Sequence, residues 1–174
     1  MLCALTLKNF GDTSRSIYLY DTFRGMTKPS KNDFKVSHPE IGAEQKWENL
    51  NKQTHNDWAY APLEEVQKNC ISTSYPSDLF HYVSGDVIQT IPSILPKQIA
   101  LLRLDTDWYE STRHELIHLF PLLSQNGILI IDDYGHWAGA KQATDEFFDG
   151  KKMFLARIDS TGRIGIKTES HGLA

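Results

Sequence analysis

The sequence predicts an α/β fold: a mostly parallel sheet flanked by helices and closed by an antiparallel strand. Three observations carry this. Ile99–Leu104 and Ile128–Ile131 are short apolar runs on either side of a helical pattern over Glu110–Ser124. That is the strand–helix–strand unit of a parallel sheet whose strands are buried on both faces. Each run stops at acids, Asp105 and Asp107 after the first, Asp132 and Asp133 after the second; in open α/β sheets ligands sit outside the carboxyl ends of the strands. Finally, Phe154–Ile158 and Arg163–Lys167 flank a turn at Ser160–Gly162, a hairpin that ends the alternation.

The other elements follow in order. Met1–Asn9, apolar at Leu2, Leu5 and Leu7 and stopped before Gly11, reads as a helix, with a strand and turn expected ahead of it. Ser16–Tyr20 (SIYLY) reads as a strand ending at Asp21, either a ribose-binding acid or a simple loop acid. Gly25 and Pro29 punctuate the loop after it. Ser30–Trp58 is polar and rich in Lys, Asn and Glu, which suits an insertion or lid over the carboxyl edge of the sheet. Pro62 opens a helix whose packed face is Leu63, Val66, Cys70 and Ile71, so Cys70 is a core residue. Phe80–Ser84 is a strand followed by Gly85 and Asp86, and Gly139–Phe148 is the last helix. The 174 residues make a single domain, with 30–58 as its excursion.

Composition narrows the function. A net charge of −4 without a basic cluster gives no footprint for nucleic acid. No stretch approaches the ~20 apolar residues of a membrane helix, and MLCALTLKNFG lacks the charged leader of a signal peptide. Two isolated thiols, Cys3 and Cys70, suit a reducing cytoplasm.

The acids carry the chemistry. Adjacent strands lie about 4.8 Å apart, so Asp105, Asp107, Asp132 and Asp133 converge on one small volume. Such a cluster repels itself unless a cation is present, and hard oxygen ligands suit magnesium or calcium better than zinc. A rival signal, His114–His118 (HELIH), formally matches the zinc-hydrolase motif H-E-x-x-H. On a helix, however, Leu116, Leu119, Phe120 and Leu123 group on one side and both histidines fall opposite, toward water. No third-ligand extension follows. Trp108, Tyr109, Tyr134 and Trp137 crowd the same edge as the acids, as packing residues or as walls for a ligand. Thr106, Ser111 and Thr112 read as caps of the next helix.

DTFRGMT (Asp21–Thr27), LDTDWYEST (Leu104–Thr112) and IIDDYGHWAGA (Ile130–Ala140) together resemble the macrocin O-methyltransferase (TylF-type) family, over about Met1–Lys167. The resemblance implies a Rossmann-like class I methyltransferase sheet. It also implies S-adenosylmethionine (SAM) as methyl donor, magnesium held by Asp105, Asp132 and Asp133, and a small-molecule acceptor, a sugar hydroxyl of a glycosylated metabolite. Asp21, Gly85 and Asp86 match the cofactor side, and homo-oligomers are common among such relatives. The family's glycine-rich SAM loop and first, central strand precede the helix with which this sequence begins. Without them the strands at Ser16–Tyr20 and Ile99–Leu104 lack their shared neighbour, and a catalytically impaired remnant becomes the alternative to an active enzyme. As proton acceptor Asp105 and His136 rank above Asp107, since metal binding and an imidazole near neutrality suit the task.

Overall fold

The computed structural model describes residues 1–151 and 153–168. The chain divides into two compact units, Met1–Thr27 with Leu50–Thr90, and Lys28–Asn49 with Ile91 onward.

The first unit holds helix α1 (Leu2–Asn9), strand β1 (Ile17–Asp21), helix α3 (Leu63–Ile71), strand β4 (Phe80–Ser84) and the single turn α4 (Val87–Thr90). β1 and β4 pair in parallel, in register from Ile17–Phe80 to Asp21–Ser84. Alternation sends Ile17, Leu19, Phe80 and Tyr82 to one face, where they pack with Ala4 and Cys70 from the helices. Cys70 is buried, as its place on the apolar stripe requires. Both strands end together: the Asp21 carbonyl accepts the Gly85 N–H at 3.0 Å.

The second unit opens with the hairpin of β2 (Phe34–Lys35) and β3 (His38–Gly42), followed by α2 (Glu44–Leu50). The polar excursion thus has structure of its own. Next come β5 (Ile99–Leu104), α5 (Tyr109–Leu119), β6 (Leu123–Ile131), α6 (Ala138–Phe148), β7 (Leu155–Arg157) and β8 (Arg163–Ile166). The sheet order is β5-β6-β8-β7, with β5 and β6 parallel and β8 antiparallel to both its neighbours. The closing hairpin is present, and its second strand lies inside the first. α5 and α6 pack side by side, with Phe120 edge-on to Phe147 and Phe148. Among the described residues β1 pairs only with β4 and β5 only with β6.

Two expectations need correction. The helical pattern over Glu110–Ser124 ends at Leu119. Pro121 falls in a 3₁₀ turn, Phe120–Leu122, and β6 begins at Leu123; proline's missing N–H and its ring stop the α-helix there. β5 is also not buried on both faces. Leu102 and Leu104 are buried, whereas Leu101 is 45% exposed and the Arg103 side chain 50%, because β5 is an edge strand of its sheet. No helix of the described residues is long and apolar enough to cross a membrane.

Candidate functional site

The β5–β6 register builds the site. Its last rung pairs Leu104 with Ile131, and the Asp132 N–H then donates to the Leu104 carbonyl at 3.0 Å. Asp105 and Asp132 therefore leave the two strands side by side at their carboxyl ends. Within the next two residues the chain turns sharply: Asp107 takes φ +65°, a left-handed conformation that aspartate tolerates better than most side chains. The result is a trio, Asp105, Asp107 and Asp133, each offering a carboxylate oxygen within 4.8 Å of the other two.

Electrostatics fit this crowding. Burial raises Asp105 to about 6, and the neighbouring Asp132 charge adds to the effect. Burial raises Asp107 likewise to about 6. Asp133 rises furthest, to about 8, through burial and then the Asp107 charge. Asp133 Oδ2 is buried and has no hydrogen-bond partner among the described residues. A buried carboxylate oxygen without a donor costs free energy that a cation would recover. Oxygens sharing one magnesium, manganese or calcium ion lie roughly 3–5 Å apart, given metal–oxygen distances of about 2.0–2.6 Å, so the trio fits a hard divalent ion.

Asp132, the other expected ligand, is not in the trio. Its Oδ1 lies 3.1 Å from Arg103 Nη2, and the same guanidinium bonds Asp105. His136 is also outside it. Its N–H donates to the Asp133 carbonyl, its own carbonyl accepts the Val36 N–H, and its ring meets Trp137 edge-on. Burial and then the charges of Lys35 and Lys46 hold the His136 imidazole below its ordinary value, so it is neutral at pH 7.

Asp107, ranked low from sequence, stands at the centre of the arrangement. The Trp137 indole N–H donates to its Oδ2 at 3.1 Å. The sequence put Asp107 at the carboxyl end of β5, but the left-handed turn that brings it into the trio has no signal in the spacing. The loop is tied down from behind as well. The Thr106 hydroxyl donates to buried Glu115 at 2.8 Å, and that of Ser111 to the Thr106 carbonyl. Glu115 is the glutamate of HELIH, so the motif's would-be base is a buried structural group. His114 Nε2 hydrogen-bonds the Ile91 carbonyl.

In the first unit, Asp21, Gly85 and Asp86 come together at the carboxyl ends of β1 and β4. Asp21 Oδ1 accepts the Phe23 N–H at 2.7 Å, and Asp86 Oδ1 accepts that of Ile88 at 2.9 Å. Gly85 takes φ +144°, where a side chain would be strained.

Comparison with known proteins points the same way. The chain is 34% identical over 160 residues to the 8-demethyl-8-(2,3-dimethoxy-alpha-L-rhamnosyl)-tetracenomycin-C 4'-O-methyltransferase of Streptomyces olivaceus, covering 90% of this chain and 56% of that protein. It is 32% identical to the mycinamicin III 3''-O-methyltransferase of Micromonospora griseorubida, covering 90% and 59%. The chain thus spans little more than half the length of these relatives. Its fold is similar to that of the O-methyltransferase NovP, with a TM-score of 0.80 at 24% identity, covering 97% of this chain and 66% of NovP. Residues 1–164 match the sequence model of the macrocin-O-methyltransferase (TylF) family, and the chain belongs to that family.

Proposed function

We propose that this chain is a SAM- and magnesium-dependent O-methyltransferase that methylates a sugar hydroxyl of a small glycosylated metabolite in the cytoplasm. The observation that carries the proposal is the Asp105–Asp107–Asp133 trio with its buried, unpartnered Asp133 oxygen. Family membership and sugar-modifying relatives supply the reaction class.

Asp105, Asp107 and Asp133 would hold magnesium, with Asp132 beside them. The ion, when bound, lowers the pKa of the acceptor hydroxyl and fixes its approach. The protein's own residues do the rest. Transfer from a sulfonium needs the hydroxyl proton removed as the oxygen attacks, and a group with a pKa near the working pH serves best. Asp107, whose Oδ2 accepts the Trp137 indole N–H, is oriented for that task. Asp105 and neutral His136 are the other acceptors in reach of the reading. Trp108 and Trp137, edge-to-face at 5.2 Å and both buried, are packing residues beside the carboxylates. On the cofactor side we assign Asp21 to the ribose hydroxyls and Gly85–Asp86 to the adenine.

Calorimetric titration of S-adenosylhomocysteine, with and without magnesium, tests the reading alongside methyl transfer to rhamnosyl acceptors. Binding together with chelator-sensitive transfer, lost in Asp133→Ala, is expected. Full transfer in the presence of chelator would remove the metal. A folded chain that binds neither ligand would favour the remnant.

A further inference from the structure

Asp33 lies in the polar excursion and is 1% exposed. Both its carboxylate oxygens are engaged. Oδ2 accepts the backbone N–H and the hydroxyl of Ser30, at 2.7 and 2.8 Å. Oδ1 accepts the N–H of Tyr109 at 2.9 Å, from 76 residues away in sequence. Tyr109 is the first residue of α5, two positions past Asp107, and the N-cap residue Trp108 makes no side-chain cap bond. Asp33 therefore supplies the acceptor that a local Ser or Asp usually gives a helix start.

The second acidic loop ends at the same place. Gly139 lies in the first turn of α6, and a Cβ there would come 1.9 Å from Asp33 Oδ1 and 2.8 Å from the Tyr109 nitrogen. Only glycine permits that approach. Just past Asp33, the Val36 N–H donates to the His136 carbonyl at 2.9 Å, and Lys35 bridges to Trp137 in antiparallel fashion. One buried carboxylate thus bonds the first residue of α5 and lies against the first turn of α6, where the two acidic loops end.

We propose that Asp33 is a positioning residue for the carboxylate trio: by holding the starts of α5 and α6 together it sets the spacing of Asp107 from Asp133, and with it the affinity for a divalent cation. This rests on the reading that the trio binds such an ion. Asp33 does not belong to the trio. Its effect passes through the backbone, as that of outer-shell partners does, and losses of about 10–100-fold in metal affinity are typical when such partners are removed. Asp33→Ala takes the carboxylate acceptor from the partly buried donors of Ser30 and Tyr109. Asp33→Asn keeps the volume and one acceptor oxygen but turns an NH₂ group toward donors on the other side, so one arm is lost whichever way the amide faces.

Manganese titrated into the full chain by calorimetry, with thermal denaturation of the metal-free protein as the second measurement, decides the matter. Lys167→Met serves as a control that lowers stability away from the trio. We expect affinity to fall at least fivefold in Asp33→Asn and further in Asp33→Ala, and less than fivefold in Lys167→Met. Should Asp33→Ala fail to fold, Asp33→Asn carries the test. A folded Asp33→Asn losing less than fivefold overturns the proposal, as does an equal loss in Lys167→Met, which would tie affinity to stability alone. A wild-type chain that binds no manganese overturns the cation reading itself, and with it the role given to Asp33.

Discussion

Asp133 is the residue whose surroundings suit its charge least. Unfolded, it titrates near 3.8; folded, burial and Asp107 raise it to about 8, and Asp105 and Asp107 follow to about 6. Between those limits the native state holds protons that the unfolded chain has released, so stability falls as pH rises from about 4 to about 8. The penalty is absent below the unfolded values and complete above the folded ones. We therefore predict that the melting temperature of the metal-free protein declines from pH 5 to pH 8. Asp133→Asn, which never has to ionise, should gain on the wild type steadily from pH 5 to pH 8. Manganese should raise the wild-type melting temperature more at pH 8 than at pH 5.5, because metal and protons compete for the same oxygens. A wild-type curve that is flat or rising between pH 6 and 8 in chelator would contradict the assignment. The acids themselves were legible, since two apolar runs that each end in aspartates leave little choice about where those aspartates go. Their division was not: which three converge depends on the turn at Asp107 and on Arg103 engaging Asp132, and neither is encoded in spacing.

At the scale of elements, the join between α5 and β6 is where pattern reading fell short and where one side chain does most of the work. Leu116, Leu119, Phe120 and Leu123 keep a helical spacing that runs straight through the boundary, so periodicity alone cannot see the helix stop. Pro121 ends the α-helical hydrogen-bond ladder, and the Leu123 N–H turns instead to the Phe120 carbonyl. Lys167, from the residue after β8, reaches back to the same join: its Nζ donates to the carbonyls of Phe120 at 3.0 Å, Pro121 at 3.3 Å and Leu123 at 2.7 Å. The lysine is only 4% exposed, and burial holds its pKa below the ordinary range. Nothing near position 121 in the sequence announces a lysine so distant. Lys167→Met keeps the aliphatic stem but strands the buried acceptors, a loss of about 2–3 kcal/mol. For a chain of this size that corresponds to a melting point about 5–10 °C lower. Differential scanning calorimetry checks it, and an unchanged melting point would mean that water satisfies those carbonyls.

For the whole molecule, alternation of apolar runs and helical stripes was enough to give the α/β class, the parallel pairs β1–β4 and β5–β6, and the closing hairpin. It was not enough to place β8 between β6 and β7, because both hairpin strands are short and similarly apolar, and only pairing decides which lies inside. The pairing also divides the residues proposed for the two sites. Asp21, Gly85 and Asp86 sit at the ends of β1 and β4 in one unit, and the carboxylate trio at the ends of β5 and β6 in the other. If the cofactor and metal assignments are right, the two ligands must leave separate footprints in hydrogen exchange, because ligand binding suppresses local opening where the contacts form. S-adenosylhomocysteine should slow exchange over Ile17–Asp21 and Phe80–Val87, and manganese over Leu102–Asp107 and Ile130–Trp137. Each footprint needs its own strand ends and not those of the other unit, so the experiment reads the two assignments separately. Manganese protection appearing at β1 and β4 instead would move the metal away from the trio. S-adenosylhomocysteine protecting neither strand end would withdraw Asp21, Gly85 and Asp86 from the cofactor while leaving the cation site standing.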